Sequence, residues 1–321
     1  MSHQRYPSSH DATVKEPHSV SLKVLRLSRP SLVTQHPLQP PLLPPTSHNP
    51  PIPASLAYSP PQGEAQTNPS PFILSPITNL PPSFGSAYVG ETFSCTLCAS
   101  HDGDSPPTKT IRDVRIKAEM KTPSSATTIS LNLDDSSSPK GVDLDPGATL
   151  QRIVNFDLKE EGNHVLAVTV SYYEATDVSG RTRTFRKLYQ FICKAGVIVR
   201  TKPGLLGEKD GKRRWVLEAQ LENCGEDVMQ LERVVLEVEG GLRWRDCNWE
   251  VEGGGGQRPV LHPGEAEQVC FVVEETGDGQ VVEEEGRVIF GVLGVGWRGE
   301  MGNRGFLSTG RLGTRAAGKK K

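Results

Sequence analysis

Residues 111 to 120 alternate without a break: Val114, Ile116, Ala118 and Met120 fall on one side, Asp113, Arg115, Lys117 and Glu119 on the other. A period of two suits an extended chain with one face packed and the other wet. The same period recurs in Ser19 to Leu27, through Val20, Leu22 and Val24, and in Arg183 to Ile192, through Phe185, Tyr189 and Phe191. Val165 to Tyr173 is rich in β-branched and aromatic residues, and Ser179-Gly180 predicts a hairpin between it and the strand that follows. No segment carries the spacing of an amphipathic helix of three turns. The chain is predicted to be all-β.

A faint duplication sharpens this. Leu144-Asp-Pro-Gly147 precedes a predicted strand over 149–158, and Leu261-His-Pro-Gly264 precedes one over 267–274. Two strands lie upstream in each half, 91–99 with 111–120 and 215–223 with 231–238; Gly162 and Gly286 open a strand downstream. The repeat of a little over 100 residues is about that of an immunoglobulin-like β-sandwich. Two tandem immunoglobulin-like β-sandwich domains are expected, joined near Cys193 to Val197.

Prolines interrupt the first half. Between 35 and 71 they recur at short intervals, as in Pro37-Leu-Gln-Pro40 and Pro50-Pro51-Ile-Pro53. Proline has no amide donor and a fixed φ, so the stretch cannot enter a helix or a central strand. The expected layout is a disordered tail over 1–17, a first strand within 18–34, a disordered Pro-rich insertion over 35–71, an N-terminal sandwich over 72–197, a second over 198–312, and a basic tail over 313–321. Gly253 to Gly256 falls in a loop, and Gly291, Gly294 and Gly296 weaken a strand interior, so the second domain is expected to be the less stable.

The motifs that carry chemistry do not assemble. Gly294-Val-Gly-Trp-Arg-Gly299 matches a dinucleotide-binding pattern but is followed by Glu300-Met-Gly-Asn-Arg-Gly305, too glycine-rich for the helix a pyrophosphate needs. Gly207-Glu-Lys-Asp-Gly-Lys-Arg213 reads as a charged hairpin tip. Cys95 and Cys98 have the spacing of half a zinc site, yet on a strand they point to opposite faces, and no second pair occurs. His164 is expected at a strand start, His262 in a turn and His101 in a loop. No catalytic, cofactor-binding or metal-binding residues are predicted, and no small-molecule substrate.

A formal net charge of -2 gives no global attraction to nucleic acid or an anionic membrane. Basic Lys212 to Arg214 and Lys319 to Lys321, and acidic Glu283 to Glu285, read as solvated loops. No apolar run is long enough to cross a bilayer, no apolar leader opens the chain, and no Asn-x-Ser/Thr acceptor occurs. The six cysteines are therefore expected to be reduced and mostly buried, and the chain cytoplasmic.

Seven stretches, in order over residues 20 to 240, resemble the subunit 13 family of the transport protein particle (TRAPP) complex. They are Leu22 to Leu32, Leu80 to Gly85, Val89 to Ser94, Glu160 to Leu166, Thr184 to Phe191, Val199 to Lys202 and Leu217 to Asn223. The resemblance fades after Leu242. It implies a non-catalytic β-sandwich subunit of a tethering and nucleotide-exchange assembly, with other TRAPP subunits as partners. Rab GTPases and Golgi or ER–Golgi membranes are reached indirectly. The motif residues Gly90, Glu91, Thr92, Phe93, Phe185, Arg186 and Lys187 are then structural. In the family a differently composed segment stands where this chain is Pro-rich, and a further β-rich region is expected beyond the length that ends at Lys321. A second reading of the same residues is a free cytosolic β-sandwich adaptor that recruits partners through the Pro-rich segment.

Overall fold

The computed structural model describes residues 17–27, 30–32, 78–79, 87–102, 109–133, 141–249, 258–277 and 279–315. The Pro-rich stretch 35–71, residues 1–16, residues 316–321 and the glycine run 253–256 lie outside them, whereas residues 313–315, expected in the basic tail, end the last strand. Every regular element described is a strand. In chain order they are β1 (Val20–Arg26), β2 (Ser31–Leu32), β3 (Thr78–Asn79), β4 (Ala87–Tyr88), β5 (Thr92–His101), β6 (Thr110–Lys121), β7 (Ile129–Ser130), β8 (Val142–Leu144), β9 (Thr149–Asp157), β10 (Gly162–Ala175) and β11 (Gly180–Lys194). There follow β12 (Val197–Lys209), β13 (Lys212–Asn223), β14 (Met229–Val238), β15 (Leu242–Asp246), β16 (Val260–Leu261), β17 (Ala266–Glu275), β18 (Glu283–Glu284), β19 (Arg287–Gly299), β20 (Arg304–Ser308) and β21 (Leu312–Arg315).

The chain divides into two compact units, one of residues 1–27 with 92–192, the other of residues 28–91 with 193–321. The first unit holds a three-stranded sheet, β1-β5-β9, and a second sheet that runs β11-β10-β6-β7 with β8 also on β6. Alternation decides what is buried. Phe93, Cys95, Leu97 and Ala99 of β5 point inward, as do Val114, Ile116, Ala118 and Met120 of β6. The two sheets share this core, and Phe93 stacks on Phe191 of β11 at 4.6 Å between ring centroids. Asp113 interrupts the β6 alternation. It takes a positive φ of 51° where the register with β10 shifts, and its carboxylate accepts from the Gly141 amide.

The second unit pairs a sheet β12-β13-β17-β15 with a sheet β16-β14-β19-β18, to which β20 and β21 add on β19. One core fills it, with Trp215, Leu217 and Leu221 of β13 and Phe271 of β17 set against Leu236 of β14 and Phe290 of β19. β12 is an edge strand, paired in register from Val197 to Lys209 with β13 alone. Pro203 sits in its middle, and a bulge falls between Leu205 and Gly207. Proline belongs on an edge, where its missing donor costs the ladder nothing.

The duplication read in the sequence has a physical counterpart at one turn of each unit. Gly147 and Gly264 adopt φ of 83° and 81°, and each donates its amide to the last residue of a strand, His101 or Asn223. Those two side chains are buried, and each donates to the leucine carbonyl that opens its turn: His101 Nδ1 to Leu144 O, and Asn223 Nδ2 to Leu261 O, both at 3.0 Å. His101 is thus not in a loop: it closes β5 from inside.

Candidate interaction surface

The motif residues read from the sequence do not converge on one place. Gly90 takes φ of 94°, and its carbonyl accepts the Phe306 amide at 2.9 Å. A Cβ there would lie 2.5 Å from the Trp297 ring and 2.8 Å from the Phe306 carbonyl oxygen, so only glycine fits. Glu91 donates its amide to Tyr88 O and accepts from Asn303 Nδ2. Thr92 and Phe93 belong to the other unit: Thr92 Oγ1 donates to Asp157 at 2.8 Å, and Phe93 is core. On β11, Phe185 lies half-buried against the His18 ring at 4.7 Å. Arg186 points outward and pairs with Glu119 at 2.7 Å, while Lys187 donates to Leu22 O at 3.1 Å.

A polar cluster that sequence reasoning missed surrounds Glu174, whose side chain is 3% exposed. Its carboxylate accepts from Ser19 Oγ at 2.5 Å and faces Lys109, Arg181 and Arg183 at 3.3 to 3.5 Å. Burial pushes this carboxyl's pKa upward, but the Ser19 hydroxyl and the Lys109 and Arg183 charges outweigh it, so the net shift is below the ordinary glutamate value. Arg183 also donates to Pro17 O, and His18 Nδ1 meets the Tyr172 hydroxyl at 3.0 Å. The cluster anchors the entry to β1 rather than opening a cleft.

The motifs singled out for chemistry are embedded in strands. Residues 294–299 lie wholly inside β19 and run into a turn. Cys95 points into the core, where burial pushes its thiol up to about 12, while Cys98 faces the other way beside Gln151. Among the described residues no three His, Cys, Asp or Glu side chains gather as a metal site would require.

What distinguishes the surface is the outward face of β1, β5 and β9. The register aligns Ser21 with Ser100 and Thr149, Lys23 with Cys98 and Gln151, and Leu25 with Thr96 and Ile153. Ser94 and Asn155 form the next row, beside Leu27, whose amide donates to Ser94 O. Of all these positions only Lys23 is charged, and Asp157 ends the last row opposite Thr92. Leu25, Leu27 and Ile153 are 57%, 50% and 41% exposed. The polar groups satisfy one another: Ser100 with Thr149 at 2.9 Å, Ser94 with Asn155 at 2.7 Å, Thr92 with Asp157. The β12-β13-β17-β15 sheet of the other unit turns out a different face, with Arg200, Lys202, Glu218, Glu222, Arg245 and Glu274 upon it.

The strands and sheets define an all-β protein of several predominantly antiparallel sheets. The chain belongs to the trafficking protein particle complex subunit 13 family: the N-terminal family model matches residues 18–193 and the middle-domain model matches residues 199–317. The second match runs well past Leu242, where the quoted motifs fade. The subunit 13 protein of Xenopus laevis is 29% identical over 318 residues, covering 95% of this chain and 70% of its own. The bovine protein is 27% identical over 320 residues, 95% and 71% of the two chains. A probable Drosophila melanogaster homolog is 28% identical over 299 residues, 92% and 64%. Among solved structures, a Salmonella alpha-2-macroglobulin covers 72% of this chain and 16% of its own at 13% identity, with a TM-score of 0.34.

Proposed function

We propose that this chain is a non-catalytic subunit of the trafficking protein particle complex, working through protein–protein contacts in ER–Golgi and Golgi vesicle traffic. The observation that carries the reading is the pair of family matches over residues 18–193 and 199–317, in the order the family name gives them. Each unit is read as an immunoglobulin-like β-sandwich: the second has sheet orders β12-β13-β17-β15 and β14-β19, which correspond to the ABED and CF strands of the constant-type arrangement. The partners are the other subunits of the complex. Rab GTPases and the cytoplasmic side of Golgi membranes are reached through the assembly, which acts in nucleotide exchange. The motif residues Gly90 to Phe93 and Phe185 to Lys187 serve the fold, since each contact found for them is a packing or tethering contact within a unit.

The test is affinity purification of the tagged chain from its own cytosol, followed by size-exclusion chromatography and peptide mass spectrometry. Co-elution with core subunits of the complex at high mass is the expected result. Elution as a lone 34.9 kDa species overturns the reading and favours an adaptor that acts alone.

A further inference from the structure

We infer that the outward face of β1, β5 and β9 docks a flat, uncharged surface of another subunit of the complex; the inference rests on the subunit reading above. Charge depletion with exposed aliphatic residues is the compositional mark of an interface core, and here it covers a whole sheet face in a chain that is 23% charged. The chain supplies its own control. The first three strands of the other unit's sheet follow the same edge-centre-next order, yet carry an acidic or a basic side chain in four of the five rows from Ile198 to Gly207.

The chemistry of the face selects its occupant. One lysine at the β1 side and one aspartate at the far end offer no basic patch to a nucleic acid or an anionic membrane. Three side-chain hydrogen bonds already cross the strands, and the central β5 is paired along both of its edges, so the face offers no backbone ladder to an extended peptide. Hydrogen bonds made in advance also lower the desolvation cost when a similar apolar, hydroxyl-bearing surface covers them. Leu25 and Ile153 lie in one row on either side of Thr96 and give such a surface two aliphatic anchors.

Area argues against a second copy of the chain. Three strands about 4.8 Å apart, of 7, 10 and 9 residues at about 3.4 Å each, give a face of roughly 420 Å². That is about half of the ~800 Å² each partner contributes to a stable pair. Two free chains would not stay together on it. Within an assembly, where other contacts hold the subunits at high effective concentration, a contact of this size is sufficient.

The experiment reconstitutes the complex from the full chain and the purified remaining subunits, and compares wild type with a Leu25→Lys/Ile153→Lys variant. The control is Leu188→Lys/Ile192→Lys, which charges two side chains of β11 that are 60% and 65% exposed. Loss of two interface anchors is expected to weaken assembly by about 100-fold or more, with the melting temperature unchanged and the control binding as wild type. If the double variant fails to fold, Asn155→Arg on the same exposed face replaces it. Assembly equal to wild type overturns this inference and leaves the subunit reading standing. So does a loss that is equal in the control. Dissociation of a self-dimer with assembly intact overturns the heteromeric occupant. Failure of the wild-type chain to assemble overturns the subunit reading, and this inference with it.

Discussion

Two residues illustrate how local physics fixes the fold. At Gly90 a left-handed backbone and the Trp297 ring leave no room for a Cβ, so Gly90→Ala is expected to destabilise by about 2–4 kcal/mol in urea titration. Gly264 has a similar φ of 81° but open space around it. There alanine is expected to cost only about 1 kcal/mol, the penalty of the backbone conformation alone. Glu174 gives a pH dependence whose sign follows from its lowered pKa. A depressed carboxyl binds its proton more weakly when folded, so its stabilisation is complete above the ordinary glutamate value of 4.5 and is lost as pH falls through the lower, folded value. Glu174→Gln is expected to cost about 2–3 kcal/mol at pH 7, less than for a fully buried pair because Arg181 reaches solvent. Melting temperatures of the two proteins, measured downward from pH 6, are expected to converge below pH 4.5.

Strands are where the sequence was most readable. Alternation located β1, β11 and most of β6, which pack on one side and meet water on the other; branched and aromatic content located β10, and the internal duplication located β5, β9, β13, β14, β17 and β19. The rest failed for physical reasons. β12 extends through Pro203 and Gly204, residues that carry no strand signal but are tolerated on an edge. β15 is short, and its Trp244 is 36% exposed, so no clear period survives. The uncharged face could not be read at all: its rows join residues from the twenties, nineties and hundred-fifties, and serines and threonines in one strand do not reveal which strands flank it. At one of the glycines of β19, Gly294, the Phe306 ring lies 3.1 Å from where a Cβ would be and covers the strand there. Burial of Phe93 ties the two sheets of the first unit through its stack on Phe191. Phe93→Ala is expected to cost about 3–5 kcal/mol, read as a lower urea midpoint with early loss of amide protection in β5 and β11.

For the molecule as a whole, two units with cores of their own make a chain whose surfaces are left for neighbours, and not every surface is an invitation. β12 ends its sheet with a long rim of backbone, and Leu205 and Leu206 are 58% and 47% exposed there. A rim of that kind is a template on which identical chains can grow into fibrils. Pro203 leaves one link out of any such template, and the bulge beside it twists the rest away. Pro203→Thr should therefore leave the monomer's melting temperature almost unchanged while raising light scattering in a concentration-dependent way on storage; scattering equal to wild type would refute this. The missing amide hydrogen of one edge residue does not hold the protein together: it keeps a crowded population of such proteins from polymerising.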